Sequence, residues 1–94
     1  MDNTGNSVTD DLFKAILTLE NIEECYKLFS DICTPQEIST VSRRFRVAQM
    51  LRENRNYSEI VSETGVSTAT VSRVKRSLND ENGGYAIVFK RMGK

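Results

Sequence analysis

The chain has 94 residues, 38 % of them apolar and 28 % charged, which is enough for one small domain of ordinary globular composition. It contains no histidine, so serine–histidine and cysteine–histidine catalysis and the commonest metal ligand are excluded, and neither an enzyme nor a metal centre is expected. The formal net charge is zero, but residues 1–42 carry a net −6 and residues 43–94 a net +6, a split that fits either a polyanion-binding half or two oppositely charged solvated faces.

Residues 1–6 are polar and read as a disordered N-terminus, with residues 7–94 as a single helical domain. The first residues show neither the basic nor the apolar region of a signal peptide, and no run approaches the roughly 20 apolar residues of a membrane span, so a cytoplasmic protein is expected. A first helix is predicted from about Val8 to Leu19, capped by Ser7 or Thr9, with Asp10 and Asp11 at the positive end of its dipole. Leu12, Phe13, Ile16, Leu17 and Leu19 cover more than one stripe of it, so it needs partners on more than one side. A homodimer supplies them.

Asn21 and Glu24 have the spacing of a capping box, and Ile22, Cys25, Tyr26, Phe29, Ile32 and Cys33 follow with a helical period. Cys25 and Cys33 form no CxxC pair, and two ligands make no zinc site, so they read as core thiols. Thr34-Pro35-Gln36-Glu37 starts a third helix with a cap, a proline at the first position and a closing glutamate. Ile38, Val41, Phe45, Ala48 and Leu51 are expected inward, and Arg43, Arg44, Arg46 and Arg52 on the other faces.

Asn56 and Glu59 form another capping box, opening a short helix from Tyr57 to Thr64 that Gly65 ends. Ser67 caps a fifth helix with the stripe Val71, Val74, Leu78. Asn82-Gly83-Gly84 breaks the chain, and Tyr85–Phe89 is ambiguous between strand and helix, with a short helix preferred because every neighbour is helical.

A short helix, a glycine turn and a second capped helix make a helix-turn-helix over about residues 57–79. In a frame of about twenty residues starting at Tyr57, Val61, Gly65, Val71 and Val74 fall where a small or branched residue, a glycine and two branched apolar residues are wanted. With Val71, Val74 and Leu78 inward, the predicted contacts to duplex DNA are Ser67, Thr68, Ala69, Ser72, Arg73, Lys75 and Arg76. Thr68 and Ser72 donate to or accept from base edges, and Ala69 contacts a thymine methyl. Lys75 and Arg76 suit phosphate, which positions without reading sequence. The competing assignment is a helix-turn-helix that docks on other proteins of the transcription machinery; it predicts weak, salt-insensitive association with DNA.

Thr34-Pro35-x-Glu37, Arg44-x-Arg46, Ala69-Thr70-x-Ser72-Arg73 and Ser77-Leu78 together resemble the Trp repressor family. The short YerC/YecD branch of Gram-positive bacteria is the nearest in appearance, through Asn82-Gly83-Gly84-Tyr85. The resemblance covers roughly residues 34–78, with a gap of about one residue in the third helix. It implies an all-α fold of five to six short helices, an intertwined homodimer and a repressor-type regulator. It also implies a site for an amino-acid-like co-repressor at Thr34, Arg44, Thr70, Arg73 and Ser77, with Arg44 and Arg73 sandwiching a ring. The family's repressor has glycine after the second arginine, where the ligand packs closely, and this chain has Val74. That departure argues against tryptophan, and a solvated or phosphate-contacting pair is the preferred reading of Arg44 and Arg73 over ligand binding.

Overall fold

The computed structural model describes residues 6–93. Among them are six α-helices and no strand: α1 (Ser7–Ile16), α2 (Ile22–Ile32), α3 (Pro35–Arg52), α4 (Tyr57–Thr64), α5 (Thr68–Leu78) and α6 (Gly84–Arg91). The chain divides into two compact units at Ile38/Ser39. No helix among the described residues is long and apolar enough to cross a membrane.

In the first unit, the cap of α1 is Asn6, not Ser7 or Thr9. Its side-chain oxygen accepts from the N–H groups of Val8 (3.1 Å) and Thr9 (3.2 Å). Asparagine caps as well as serine does, and reaching two N–H groups moves the helix start back to Ser7. The disorder expected for residues 1–6 therefore does not extend to Asn6; residues 1–5 lie outside the described residues. α1 also ends earlier than Leu19. After Ile16 the ladder tightens, with Thr18 and Leu19 N–H donating three residues back to Ala15 and Ile16 (both 3.1 Å).

Asn21 caps α2 by accepting from Glu24 N–H at 2.9 Å, but the reciprocal bond goes one residue outward, from Glu20 N–H to the Glu24 carboxylate at 2.8 Å. Thr34 and Glu37 close a full box at the start of α3 (3.1 and 2.8 Å). Neither α1 nor α2 has a buried residue, and Val8, Leu17 and Ile22 are 78, 83 and 75 % exposed. The core-thiol reading is corrected: Cys25 is exposed and Cys33 only partly covered, in a pair of helices that have no buried residue among them.

The second unit holds the core. Val47, Ala48 and Met50 of α3, Ile60 of α4, Val71 and Val74 of α5 and Phe89 of α6 are buried together, with Phe45, Leu51, Tyr57, Val61, Val66, Leu78 and Tyr85 packed around them. The inward face expected for α3 is corrected here. Val41 is 55 % exposed, whereas Val47 and Met50 are fully buried, because α4, α5 and α6 contribute to one core against the C-terminal half of α3. α3 stops in a Schellman arrangement: Asn54 takes φ +61°, its N–H donates to Leu51 O, and Arg55 N–H donates to Met50 O (both 3.0 Å). The ambiguous C-terminal stretch is helical. Tyr85 and Phe89, one turn apart, stack with Phe45 of α3, at ring separations of 6.3 and 5.3 Å.

Candidate nucleic-acid interface

The turn between α4 and α5 is built from side-chain to backbone bonds. Asn56 and Glu59 close a full capping box at the start of α4 (2.9 and 3.1 Å). At its end, the buried Thr64 hydroxyl donates to Ile60 O at 2.7 Å and accepts from Val66 N–H at 3.3 Å. Gly65 turns the chain at φ +74°, its N–H donating to Val61 O at 2.8 Å. Ser67 then caps α5, accepting from Thr70 N–H (3.2 Å) and donating to the Thr70 hydroxyl (3.1 Å).

An ion network holds α4 against α3. Glu63 takes two bonds from the Arg46 guanidinium (3.0 and 3.2 Å) and one from Arg55 (3.3 Å), while Arg55 also bonds Glu59 at 3.3 Å. The hydrogen bonds from Arg46 hold the Glu63 carboxyl below its ordinary range against the opposing pull of desolvation, and Arg55 adds to the lowering. Desolvation pulls Arg55 down, but its bonds to Glu63 and Glu59 outweigh it and leave the group raised. These side chains are between about a third and a half exposed, so salt screens them and their energetic weight is small.

Val71 and Val74 are in the core and Leu78 packs against it, which fixes the rotation of α5. Thr68, Ala69, Arg73, Lys75 and Arg76 are exposed and Ser72 is half-buried. Thr68, Ser72 and Arg76 recur every four residues along one side of the helix, with Ala69 and Arg73 on the adjoining strip and Lys75 at the opposite edge. Ser67 is exposed, but its hydroxyl is engaged in the cap.

Of the residues named for a co-repressor, Thr70, Arg73 and Ser77 share one strip of α5, Arg44 is exposed on α3, and Thr34 lies in the first unit with its hydroxyl bonded to Glu37 N–H. Val74 is 4 % exposed and belongs to the core. Arg43, expected on an outer face of α3, is half-buried. Its Nε has no partner among the described residues, and its Nη1 lies 3.7 Å from where a Cβ on Gly65 would stand. Sequence reasoning placed Arg43 and Arg46 on outer faces of α3 and Arg46 in the Arg44-x-Arg46 motif, but it foresaw neither the pairing of Arg46 and Arg55 with Glu63 nor the place of Thr64 and Arg43 at the turn.

A capped short helix, a left-handed glycine turn and a capped second helix on one core define a helix-turn-helix protein. The chain belongs to the Trp repressor family: the family described as Trp repressor protein matches residues 7–93. At the level of that family, it is a DNA-binding regulator. The uncharacterized protein YerC of Bacillus subtilis (strain 168) is 47 % identical over 92 residues, covering 98 % of this chain and 88 % of YerC. A TrpR-like protein from Eubacterium eligens has a similar structure, with a TM-score of 0.86 and 52 % identity over 94 % of this chain and 91 % of that one. A candidate Trp repressor from Staphylococcus aureus gives a TM-score of 0.84 and 50 % identity, over 94 % of this chain and 88 % of its own.

Proposed function

We propose that the protein is a homodimeric transcriptional repressor that reads a two-fold symmetric DNA operator through α5. The observation that carries this reading is the rotation of α5. Burial of Val71 and Val74 turns Thr68, Ala69, Ser72 and Arg76 away from the core, the presentation that a recognition helix needs in the major groove. Thr68 and Ser72 read base edges, Ala69 meets a thymine methyl, and Arg73, Lys75 and Arg76 bind phosphate; Ser67 contributes as the cap that sets the helix start.

The dimer is supported by the apolar residues of α1 and α2, none buried within one chain, since a contiguous exposed apolar face marks an interaction surface. Two copies of α5 then face half-sites about 34 Å apart, a spacing taken from helix-turn-helix dimers as a class, the Trp repressor among them. A co-repressor site on the second unit would draw on Arg44, Thr70, Arg73 and Ser77, and Val74, which puts a branched side chain where the family's repressor has glycine, argues against tryptophan as its ligand. Selection of bound duplexes from a random pool tests the reading. A two-fold symmetric consensus supports it, and recovery of no enriched sequence contradicts it.

A further inference from the structure

Of the seven asparagines in the chain, only Asn82 precedes a glycine. That pairing carries a chemistry of its own. The main-chain nitrogen of the following residue can attack the asparagine side-chain carbonyl, and glycine leaves the approach open because it has no Cβ. Asn82 and Gly83 lie in the turn between α5 and α6, Asn82 exposed and Gly83 half-buried.

Asp80 closes this turn twice. Its side-chain Oδ1 accepts from Asn82 N–H at 2.9 Å, and its main-chain oxygen accepts from Gly83 N–H at 3.0 Å. The second bond holds the proton that the attacking nitrogen has to lose. Together the two restrict rotation of the main chain at Asn82, which ring closure needs. The same close approach accounts for the glycine. A Cβ at position 83 would stand 3.2 Å from Asp80 O and 3.3 Å from both Asp80 Cβ and Oδ2, tighter than an ordinary van der Waals contact. The turn therefore favours glycine at position 83, and that glycine is what makes Asn82 reactive.

We propose that Asn82 is a latent site of spontaneous deamidation and that Asp80 guards it. When the turn opens, the Gly83 nitrogen attacks Asn82 Cγ. A new C–N bond forms, the bond from Cγ to the side-chain nitrogen breaks, and that nitrogen leaves as ammonia with the proton given up by Gly83. One water then opens the five-membered succinimide at either carbonyl, giving aspartate or isoaspartate, each with a carboxyl that ionises. Isoaspartate routes the main chain through the former side chain and lengthens it by one atom between α5 and α6. Phe89 of α6 shares the core with Val71 and Val74, so the modification bears on the packing that orients α5.

The test ages the full chain in warm neutral buffer, native and in urea. Mass spectrometry follows the tryptic peptide of residues 77–90, with fragmentation to separate position 82 from Asn79. The variants are Asp80→Ala, Asp80→Asn, which keeps an acceptor oxygen, and Gly65→Ala, which loosens the fold away from the turn. An ordinary hydrogen bond shifts an opening equilibrium about fivefold, so Asn82 should react roughly thirtyfold more slowly in the native chain than in the unfolded one. Asp80→Ala should react about fivefold faster than the parent, and Asp80→Asn at close to the parental rate. Gly65→Ala should leave the rate unchanged, because the opening is local. The deamidated fraction should unfold at a lower urea midpoint than the parent at the same protein concentration. Equal rates in native and unfolded chains, a parental rate in Asp80→Ala, or equal acceleration by Gly65→Ala and Asp80→Ala would overturn the guard. No modification of Asn82 even in urea would overturn the site, and an unchanged midpoint would overturn its link to the core.

Discussion

Replacing Gly65 by alanine isolates the cost of the turn on which the reading helix depends. Gly65 sits at φ +74°, where an L-residue with a Cβ pays roughly 1–2 kcal/mol. No steric cost adds to this, because the nearest atom to the new Cβ is Arg43 Nη1 at 3.7 Å, an ordinary contact. Alanine also narrows the unfolded ensemble, which offsets about 0.4–1 kcal/mol. The expected net loss is therefore about 1 kcal/mol, and less for Gly65→Asn, which tolerates the left-handed region better. Urea unfolding at one fixed protein concentration measures this, since the midpoint of a dimer moves with concentration, and the slope should be unchanged. Equal or greater stability in Gly65→Ala would refute the need for a left-handed residue. A loss above about 3 kcal/mol would refute the open space beside it.

Analytical ultracentrifugation at micromolar concentration should show a dimer, because α1 and α2 have no fully buried residue within one chain; a stable folded monomer would contradict the interlocked assembly. Calorimetry with tryptophan should show no micromolar binding, and a micromolar dissociation constant would mean that the pocket survives Val74. Glu63→Gln should flatten the acid limb of the stability profile. The native carboxyl is lowered by Arg46 and Arg55, so its contribution is complete above the ordinary glutamate pKa of about 4.3 and is lost as pH falls through the lower native value. Urea midpoints from pH 7 to 3 test this, and an unchanged acid limb would mean that the Arg46–Glu63–Arg55 network does not persist in solution.

What was legible in the sequence is what is decided within a few residues. Asn21, Thr34, Asn56 and Ser67 cap the helices they were assigned to, and Gly65 takes the positive φ its place required. Competing local caps are harder to separate, and Asn6 prevailed over Ser7 and Thr9 by reaching two N–H groups at once. The errors elsewhere are tertiary. The period of α3 cannot say that three other helices share a core with its second half, so Val41 was read as inward while the buried Val47 and Met50 were not. The apolar run from Tyr85 to Val88 has no period, and its helix is selected by the stacking of Tyr85 and Phe89 with Phe45, some forty residues away. For the same reason the link from Glu63 to Arg46, seventeen residues apart, left no short-range signal. The rotation of α5 was legible because Val71, Val74 and Leu78 state it within one helix.

The most direct test of the central claim is the binding of Thr68→Ala, Ser72→Ala and Arg76→Ala to the enriched and scrambled duplexes across a range of salt. If α5 is the reading helix, Arg76→Ala weakens binding to both duplexes alike and lowers the salt slope by about one unit. Thr68→Ala and Ser72→Ala instead change which bases are preferred, at about 1–3 kcal/mol for each lost base contact. Parental affinity and specificity in all three variants would contradict the account and place the helix-turn-helix in contact with another protein.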